Sequence, residues 1–178
     1  MKSHKNAVVI IPPEELWQPI QEIRKAHDRA FWRWMPHITL LYPFRPAETH
    51  VTLEKHFEEQ LFSFPSFKLK LKKVSYFMSR NSSFTIWLQP EPARQIHQLQ
   101  AELQQIVPDC DDVHKFPGGF HPHLSVASGR GTEQFKEILK KIKKQWKPIS
   151  FPVSNVYLVS REHSQEERFT ITQTVHFQ

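Results

Sequence analysis

The sequence is poor in cysteine, in glycine and in long apolar runs, and each shortage excludes a class of protein. The single cysteine, Cys110, cannot form an intramolecular disulfide and excludes a zinc site built on several thiolates. Four glycines in 178 residues, with 39% hydrophobic residues, exclude collagen-like and disordered chains. The longest apolar run, Ala7 to Ile11, is too short to cross a bilayer, and no signal-peptide pattern opens the chain. We therefore expect a soluble protein of the cytoplasm or nucleus, with no membrane partner.

The charge is positive and unevenly distributed. The chain has 24 lysine and arginine residues and 18 acidic residues, a formal net charge of +6. Its 11 histidines would add positive charge in acid. Residues 1 to 89 carry 13 basic and 8 acidic side chains, whereas residues 90 to 178 carry 11 and 10. This balance indicates an anionic partner, nucleic acid or nucleotide, without identifying it.

Two lysine-rich runs differ in their periodicity. In residues 67 to 73 lysines alternate with Phe67, Leu69 and Leu71, which is typical of a half-buried strand. Those lysines either protect an edge strand or attract phosphate, and the sequence does not separate the two. In residues 136 to 147 the apolar side chains recur at helical spacing, which indicates an outer helix with a solvated lysine face.

Hydrophobic periodicity predicts an ordered series of strands and helices. The predicted helices are Glu15 to His27, Val51 to Phe62, Ala93 to Ile106 and Glu133 to Trp146. The predicted strands are Ala7 to Ile11, His37 to Tyr42, Phe67 to Phe77, Phe84 to Leu88, His123 to Ala127, Val153 to Ser160 and Phe169 to Phe177. Several strands are too close in sequence for parallel crossovers. The fold class is therefore α+β, with largely antiparallel sheets and helices packed on their outer faces.

The two halves of the chain repeat each other weakly. Residues 10 to 14 resemble residues 87 to 91, and Pro36-His37-Ile38-Thr39 resembles Pro122-His123-Leu124-Ser125. The order strand, helix, strand, helix, strand recurs in both halves. We expect one domain, residues 1 to 178, made of two similar lobes of roughly 1 to 80 and 81 to 178, related by a pseudo-twofold axis, with strands that can exchange between lobes.

The repeat duplicates a pair of polar residues. Because side chains alternate along a strand, His37 and Thr39 share one face, and His123 and Ser125 share a face of the second strand. If the sheets face each other across a groove, two imidazoles and two hydroxyls meet there. One histidine can deprotonate an attacking hydroxyl or water while the other protonates the leaving oxygen of a phosphodiester. The hydroxyls of Thr39 and Ser125 can donate to the nonbridging oxygens, so this chemistry needs no metal or other cofactor.

These residues resemble the 2H phosphoesterases, a family with two His-x-Thr/Ser motifs on two sheet lobes. The resemblance covers nearly the whole chain. It is most specific in residues 36 to 44, and the second motif, residues 121 to 127, differs only in having Ser125 for the commoner threonine. The resemblance implies that His37 protonates the leaving oxygen and His123 activates water, although near-symmetry leaves the reverse order open. It also implies RNA or nucleotide substrates with a 2′,3′-cyclic phosphate or a 2′,5′ linkage.

The residues flanking the two motifs are candidates for substrate binding. Aromatic side chains there can stack on bases, with a basic side chain near a phosphate. The candidates are Trp32, Arg33 and Trp34 before the first motif and Lys115, Phe120 and His121 before the second. Alternation along the predicted strand places Tyr42 on the core side, so it is not a candidate.

Three alternatives stay open beside the hydrolysis of a 2′,3′-cyclic phosphate to a 2′-phosphate. His114, His121 and His123 could bind a metal, although the duplicated pairing with Thr39 and Ser125 would then be a coincidence. Ligation or cleavage of a 2′,5′ linkage uses the same groups, and a non-catalytic RNA-binding module could retain the fold. We expect a monomeric, metal-independent cyclic phosphodiesterase.

Overall fold

The computed structural model describes residues 1 to 178 and contains eight strands and four helices. The helices are α1 (Trp17–His27), α2 (His50–Leu61), α3 (Ala93–Ile106) and α4 (Thr132–Gln145). The strands are β1 (Asn6–Ile10), β2 (Ile38–Leu41), β3 (Phe67–Met78), β4 (Ser83–Glu91), β5 (Leu124–Arg130), β6 (Ile149–Val153), β7 (Asn155–Ser160) and β8 (Thr170–His176). Every predicted element is present. No helix in this structure has the length and apolar character needed to span a membrane.

One strand, β6, was missed by the sequence analysis. It contains Pro152, which donates no backbone hydrogen bond, and it begins immediately after Pro148. Proline is tolerated in a sheet on an edge strand, and β6 forms the edge of its sheet beside β3. Pro19 is likewise tolerated because it is the third residue of α1, in the first helical turn, where no intrahelical bond requires its N–H.

The strands form two antiparallel four-stranded sheets, which confirms the predicted α+β class. The first sheet has the order β2-β1-β7-β8 and the second β5-β4-β3-β6. The first sheet thus joins two strands from each half of the chain, and β3 of the first half pairs with β4 of the second. Because the two halves are hydrogen-bonded to each other in both sheets, neither sheet is formed by one half alone.

A single large core packs the helices against one face of both sheets. It contains 35 buried residues, among them Ile38 and Leu40 of β2 and Leu124 and Val126 of β5, all fully buried. The polar residues of the two motifs, His37, Thr39, His123 and Ser125, are only partly buried. This alternation confirms the expectation that each motif presents its apolar side chains to the core and its polar side chains to the other face.

The two lysine-rich runs occupy different places. In α4 the side chains of Phe135, Ile138 and Ile142 are buried and the lysines are exposed, as predicted. Leu69 and Leu71 of β3 are fully buried between exposed lysines, so the half-buried alternation is also confirmed. The interpretation as edge protection is wrong for Lys68 and Lys70, because β3 pairs with β6 from Phe67 to Leu71 and with β4 on its other side. Lys72 and Lys73 lie beyond the stretch that β6 covers.

His50 joins the start of α2 to β8. Its side chain is 1% exposed; Nε2 donates to the Arg45 carbonyl at 3.0 Å, and Nδ1 accepts from the Thr172 hydroxyl at 2.6 Å. Replacing His50 by alanine removes both hydrogen bonds and leaves a void beneath α2, although the Thr172 hydroxyl keeps the Leu158 carbonyl as an acceptor at 2.9 Å. We expect His50→Ala to lower the free energy of unfolding by about 2 to 4 kcal/mol.

Urea denaturation at pH 7 measures this loss. His56→Ala, on the exposed side of the same helix, is the matched control and should change stability by less than about 0.5 kcal/mol. A His50→Ala variant as stable as His56→Ala would contradict a structural role for the two hydrogen bonds.

Candidate active site

The two polar motifs meet where the two sheets approach each other. β2 and β5 are edge strands of different sheets, and their Cα atoms come within 8 Å of one another. His37 directly precedes β2 and His123 directly precedes β5, so each histidine lies at the N-terminal end of its strand. They are close enough for a charge on His123 to lower the pKa of His37. The structure therefore places the two predicted histidines near each other where the two sheets approach, and we call this region the groove.

Each imidazole is oriented by the same backbone hydrogen bond. Nδ1 of His37 donates to the Met35 carbonyl at 2.8 Å, and Nδ1 of His123 donates to the His121 carbonyl at 2.6 Å. Neither Nε2 has a hydrogen-bond partner within the protein. Each neutral ring thus keeps the tautomer whose Nε2 lone pair is available to take a proton. Nothing in the sequence beyond the shared Pro-His spacing signalled this duplicated bond.

Burial lowers the pKa of both histidines. It brings the pKa of His37 down to about 4; the hydrogen bond to Met35 opposes this, and the charges on Arg24 and His123 add to it. Burial also lowers the pKa of His123, against the hydrogen bond to His121. In the free protein at neutral pH, both rings are therefore mainly uncharged and able to act as bases.

The start of the segment before the first motif is anchored to two elements. Arg24 forms a buried ion pair with Asp28 at 2.8 Å, and Asp28 also accepts from the Ala30 N–H at 2.9 Å. The Arg29 N–H donates to the Ser128 hydroxyl of β5 at 3.3 Å. The loop that carries Trp32 to Trp34 is thus fixed to α1 and to the second sheet. The i, i+4 spacing of Arg24 and Asp28 was the only sequence signal for this pair.

Trp34 lines the His37 side of the groove. Its ring stacks on His37 at 4.3 Å and on Phe169 at 3.5 Å, and Phe169 donates its N–H to the Arg33 carbonyl at 3.0 Å. The expectation that Trp34 stacks on a base is not supported, because these two contacts already occupy its ring. Trp32 is 45% exposed, and the Arg33 guanidinium lies 4.7 Å from its centroid. Trp32 and Arg33 therefore remain available at the rim.

Tyr42 lies on the groove side, contrary to the prediction. Val8 pairs with Leu41 and Val9 with Thr39, so Leu40 is an extra residue in β2. Leu40 and Leu41 are consequently both buried, and the next side chain returns to the face of Thr39. Tyr42 contacts Trp34 edge-on at 5.9 Å and donates its hydroxyl to the His4 carbonyl at 3.1 Å.

Aromatic side chains from the second sheet surround His123. Phe77 contacts it at 5.1 Å and Trp87 at 5.8 Å, and both also contact His121. Beside them lies a cavity of about 430 Å³, lined by Phe77, Trp87, His97, His121, Ser75 and Gln89 among others. His121 is thus placed both to hold His123 through its carbonyl and to line the cavity. Phe77 and Trp87 were not predicted from the sequence as residues of this site.

Two candidates before the second motif are not in this groove. Phe120 is 6% exposed and packs in the core, 5.1 Å from the ring of His97. Lys115 forms ion pairs with Asp111 at 3.0 Å and Asp112 at 3.2 Å. The expectation that these two side chains bind substrate is not supported, because one is used in packing and the charge of the other is matched by carboxylates.

The alternative metal ligands do not converge. His114 donates Nε2–H to the Gln100 side chain at 3.1 Å and packs against Phe120, so it faces α3. No group of three or more histidine, cysteine, aspartate or glutamate side chains is arranged to hold a metal ion. The donor set of His114, His121 and His123 is therefore not assembled.

Comparison with known proteins assigns the chain to a family. The model of the 2′-5′ RNA ligase superfamily matches residues 12 to 165. A Bacillus licheniformis protein named "putative phosphoesterase" is 26% identical over 140 residues, 78% of this chain and 79% of its own. An Oceanobacillus iheyensis protein with the same description is 26% identical over 143 residues, 78% of each chain.

Solved structures share the fold. Escherichia coli LigT complexed with 3′-AMP superposes with a TM-score of 0.64 at 18% identity, over 99% of both chains. A Thermus thermophilus protein superposes with a TM-score of 0.60 at 17% identity, over 99% of this chain and 97% of its own. Together with the match over residues 12 to 165, the two paired His-x-Thr/Ser strands show that the chain belongs to the 2′-5′ RNA ligase superfamily, the 2H phosphoesterases.

Proposed function

We propose that the protein is a metal-independent phosphodiesterase that hydrolyses 2′,3′-cyclic phosphates of nucleotides or RNA ends to 2′-phosphates. One observation carries the proposal: the two imidazoles lie near each other where the two sheets approach, each held through Nδ1 with Nε2 free of protein partners. A pure binding module has no need of such an acid–base pair. The relatives named as phosphoesterases and the structure of LigT with 3′-AMP are consistent with a nucleotide phosphodiester as substrate.

The proposed reaction is a single displacement at phosphorus. Nε2 of one histidine takes a proton from water as the water oxygen bonds to phosphorus, and Nε2 of the other donates a proton to O3′ as the P–O3′ bond breaks. The hydroxyls of Thr39 and Ser125 donate hydrogen bonds to the nonbridging oxygens, where charge increases in the transition state. The product is a 2′-phosphate with a free 3′-hydroxyl, and each histidine has exchanged one proton.

The family resemblance makes His37 the acid and His123 the base, whereas a pKa of about 4 favours a neutral His37 and hence the reverse order. Leaving-group dependence separates the two orders. A 4-nitrophenolate leaves without protonation, so a variant that lacks the acid loses little activity on a 4-nitrophenyl phosphodiester. We expect His37→Ala to recover on this substrate relative to 2′,3′-cyclic AMP, and His123→Ala to stay equally impaired on both. The opposite pattern would reverse the two roles.

Incubation with 2′,3′-cyclic AMP in EDTA, with products separated by chromatography, tests the proposal. We expect turnover to 2′-AMP that is unaffected by the chelator. Oligonucleotides ended by a cyclic phosphate, and oligonucleotides with a 2′,5′ linkage, are tested in parallel because their cleavage uses the same groups. Turnover abolished by EDTA would contradict the metal-independent mechanism, and RNA binding without turnover of any substrate would indicate a binding module instead.

A further inference from the structure

Three lysines of β3 lie on the same face of the second sheet as the candidate active site. Strand register shows this: Ser75, Trp87 and Ser125 are cross-strand neighbours in one row. Lys73 pairs with Gln89 and Lys70 with Glu91, two and four positions along β4 from Trp87. Residues two apart on a strand share a face, and the register shift at the bulge near Lys72 preserves this alternation. We call Lys68, Lys70 and Lys73 the β3 lysine track.

The lysines of the β3 lysine track take no part in packing the core. Leu69 and Leu71 occupy the opposite face and are fully buried, so the lysines between them are directed to solvent. Lys68 and Lys70 do not protect an edge, because β6 pairs with β3 from Phe67 to Leu71. Lys68 and Lys70 form no ion pair, and Lys73 lies 3.8 Å from Glu91, with both side chains exposed. Glu91 is the carboxylate that faces the track from β4, so the track keeps a positive excess.

The track is continuous with the cavity beside His123. Gln89, the cross-strand partner of Lys73, lines that cavity together with Ser75, Phe77 and Trp87. Lys68 lies seven positions before Ser75, a path of roughly 23 Å at the usual rise of an extended strand. A cyclic mononucleotide would occupy only the end next to His123. A path of this length, lined by positive charge, fits the phosphates of several nucleotides.

Proteins that bind single-stranded nucleic acid combine two features, a basic groove along the backbone and aromatic rings that stack on bases. Both are present here, since Phe77, which is 39% exposed, lies at the proximal end of the track. We propose that single-stranded RNA upstream of a 3′-terminal cyclic phosphate lies along the β3 lysine track. The substrate is then an oligonucleotide end in preference to a free cyclic mononucleotide. The cyclic phosphate at the RNA end rests on the proposed function. The path of the upstream nucleotides rests only on the position of the β3 lysine track.

The activity test compares substrates of different length. It measures the ratio of kcat/KM for a tetranucleotide ended by a 2′,3′-cyclic phosphate to kcat/KM for 2′,3′-cyclic AMP. We expect the triple variant Lys68→Gln, Lys70→Gln, Lys73→Gln to lower this ratio by about 30-fold, at roughly threefold per exposed charge contact. Glu91→Gln should raise the ratio, because it removes the carboxylate that faces the track.

The matched control removes three exposed lysines from α4. Lys140→Gln, Lys143→Gln, Lys144→Gln changes the net charge equally on another surface, and we expect it to keep the wild-type ratio. A wild-type ratio near one, or equal losses in the two triple variants, would contradict the proposal that RNA lies along the β3 lysine track.

A binding arm separates the track from the proposed function. Fluorescence anisotropy with a tetranucleotide ended by a 3′-phosphate requires no turnover. We expect the β3 triple variant to bind this tetranucleotide more weakly than the α4 triple variant does. The slope of log K against log salt concentration should also be smaller in magnitude by about two in the β3 triple variant. Binding that differs in this way in a protein without hydrolytic activity would support the track and contradict the proposed function. Equal binding by the two triple variants would overturn the track whatever the activity.

Discussion

Replacing His37 or His123 by alanine is expected to lower kcat on 2′,3′-cyclic AMP by a factor between about 10² and 10⁴, the usual contribution of a positioned acid or base. Each histidine supplies one of two proton transfers in the same step, so losing either should be nearly as damaging as losing both. The two single variants and the double variant, measured at saturating substrate with 2′-AMP formation as the readout, show this non-additivity.

His56→Ala is the matched control for these variants. His56 is exposed on α2, away from both motifs, and we expect its replacement to leave kcat within about twofold of wild type. Urea denaturation of each variant separates a lost proton transfer from a lost fold. A folded His37→Ala or His123→Ala protein with kcat within about threefold of wild type would remove that histidine from the proposed mechanism.

The second large effect concerns the two hydroxyls. Thr39 precedes the buried Leu40 on β2 and Ser125 pairs with Trp87 on β4, so both are partly buried beside the histidines. Hydrogen bonds to the nonbridging oxygens strengthen as charge builds in the transition state. Removing such a donor costs about 10² in rate. We expect Thr39→Val and Ser125→Ala each to lose about 10²-fold, in kcat more than in KM.

Conservative exchanges provide the control for the hydroxyls. Thr39→Ser and Ser125→Thr keep the donor and should retain most of the wild-type kcat, within about fivefold. If Thr39→Val retained wild-type kcat while the histidine variants were inactive, the hydroxyl would have no role in binding the phosphate. If Thr39→Ser were as impaired as Thr39→Val, the threonine methyl group, and hence packing, would explain the loss.

The faces of the two motif strands could be predicted because alternation in a strand is a local property. Ile38, Leu40, Leu124 and Val126 pack in the core as expected, which leaves the polar residues of both motifs on the other face. The alternation failed at Tyr42 because one extra residue at the Leu40 bulge reverses the faces beyond it. Such a bulge depends on pairing with β1, and sequence periodicity does not report that pairing.

The walls of the groove were harder to predict, since they depend on how distant segments meet. Trp34 stacks on Phe169, which lies 135 residues further along the chain, and Phe120 is buried against His97 of α3. Neither contact follows from local pattern. Phe77 and Trp87 surround His123 because β3 and β4 pair beside β5. Their alternation with Ser75 and Gln89 was visible in the sequence, but only the strand order shows that they share a face with Ser125.

The pH dependence of kcat/KM on 2′,3′-cyclic AMP in EDTA tests the central claim most directly. The reaction needs one protonated and one neutral histidine, and kcat/KM reports the free enzyme, in which burial lowers both pKa values and that of His37 to about 4. The singly protonated form is lost above the higher pKa and below the lower one. We predict a bell-shaped dependence of kcat/KM on pH, with its maximum between about pH 4 and 6.5. A rate that rises to a plateau above pH 8, or that EDTA abolishes, would contradict catalysis by His37 and His123.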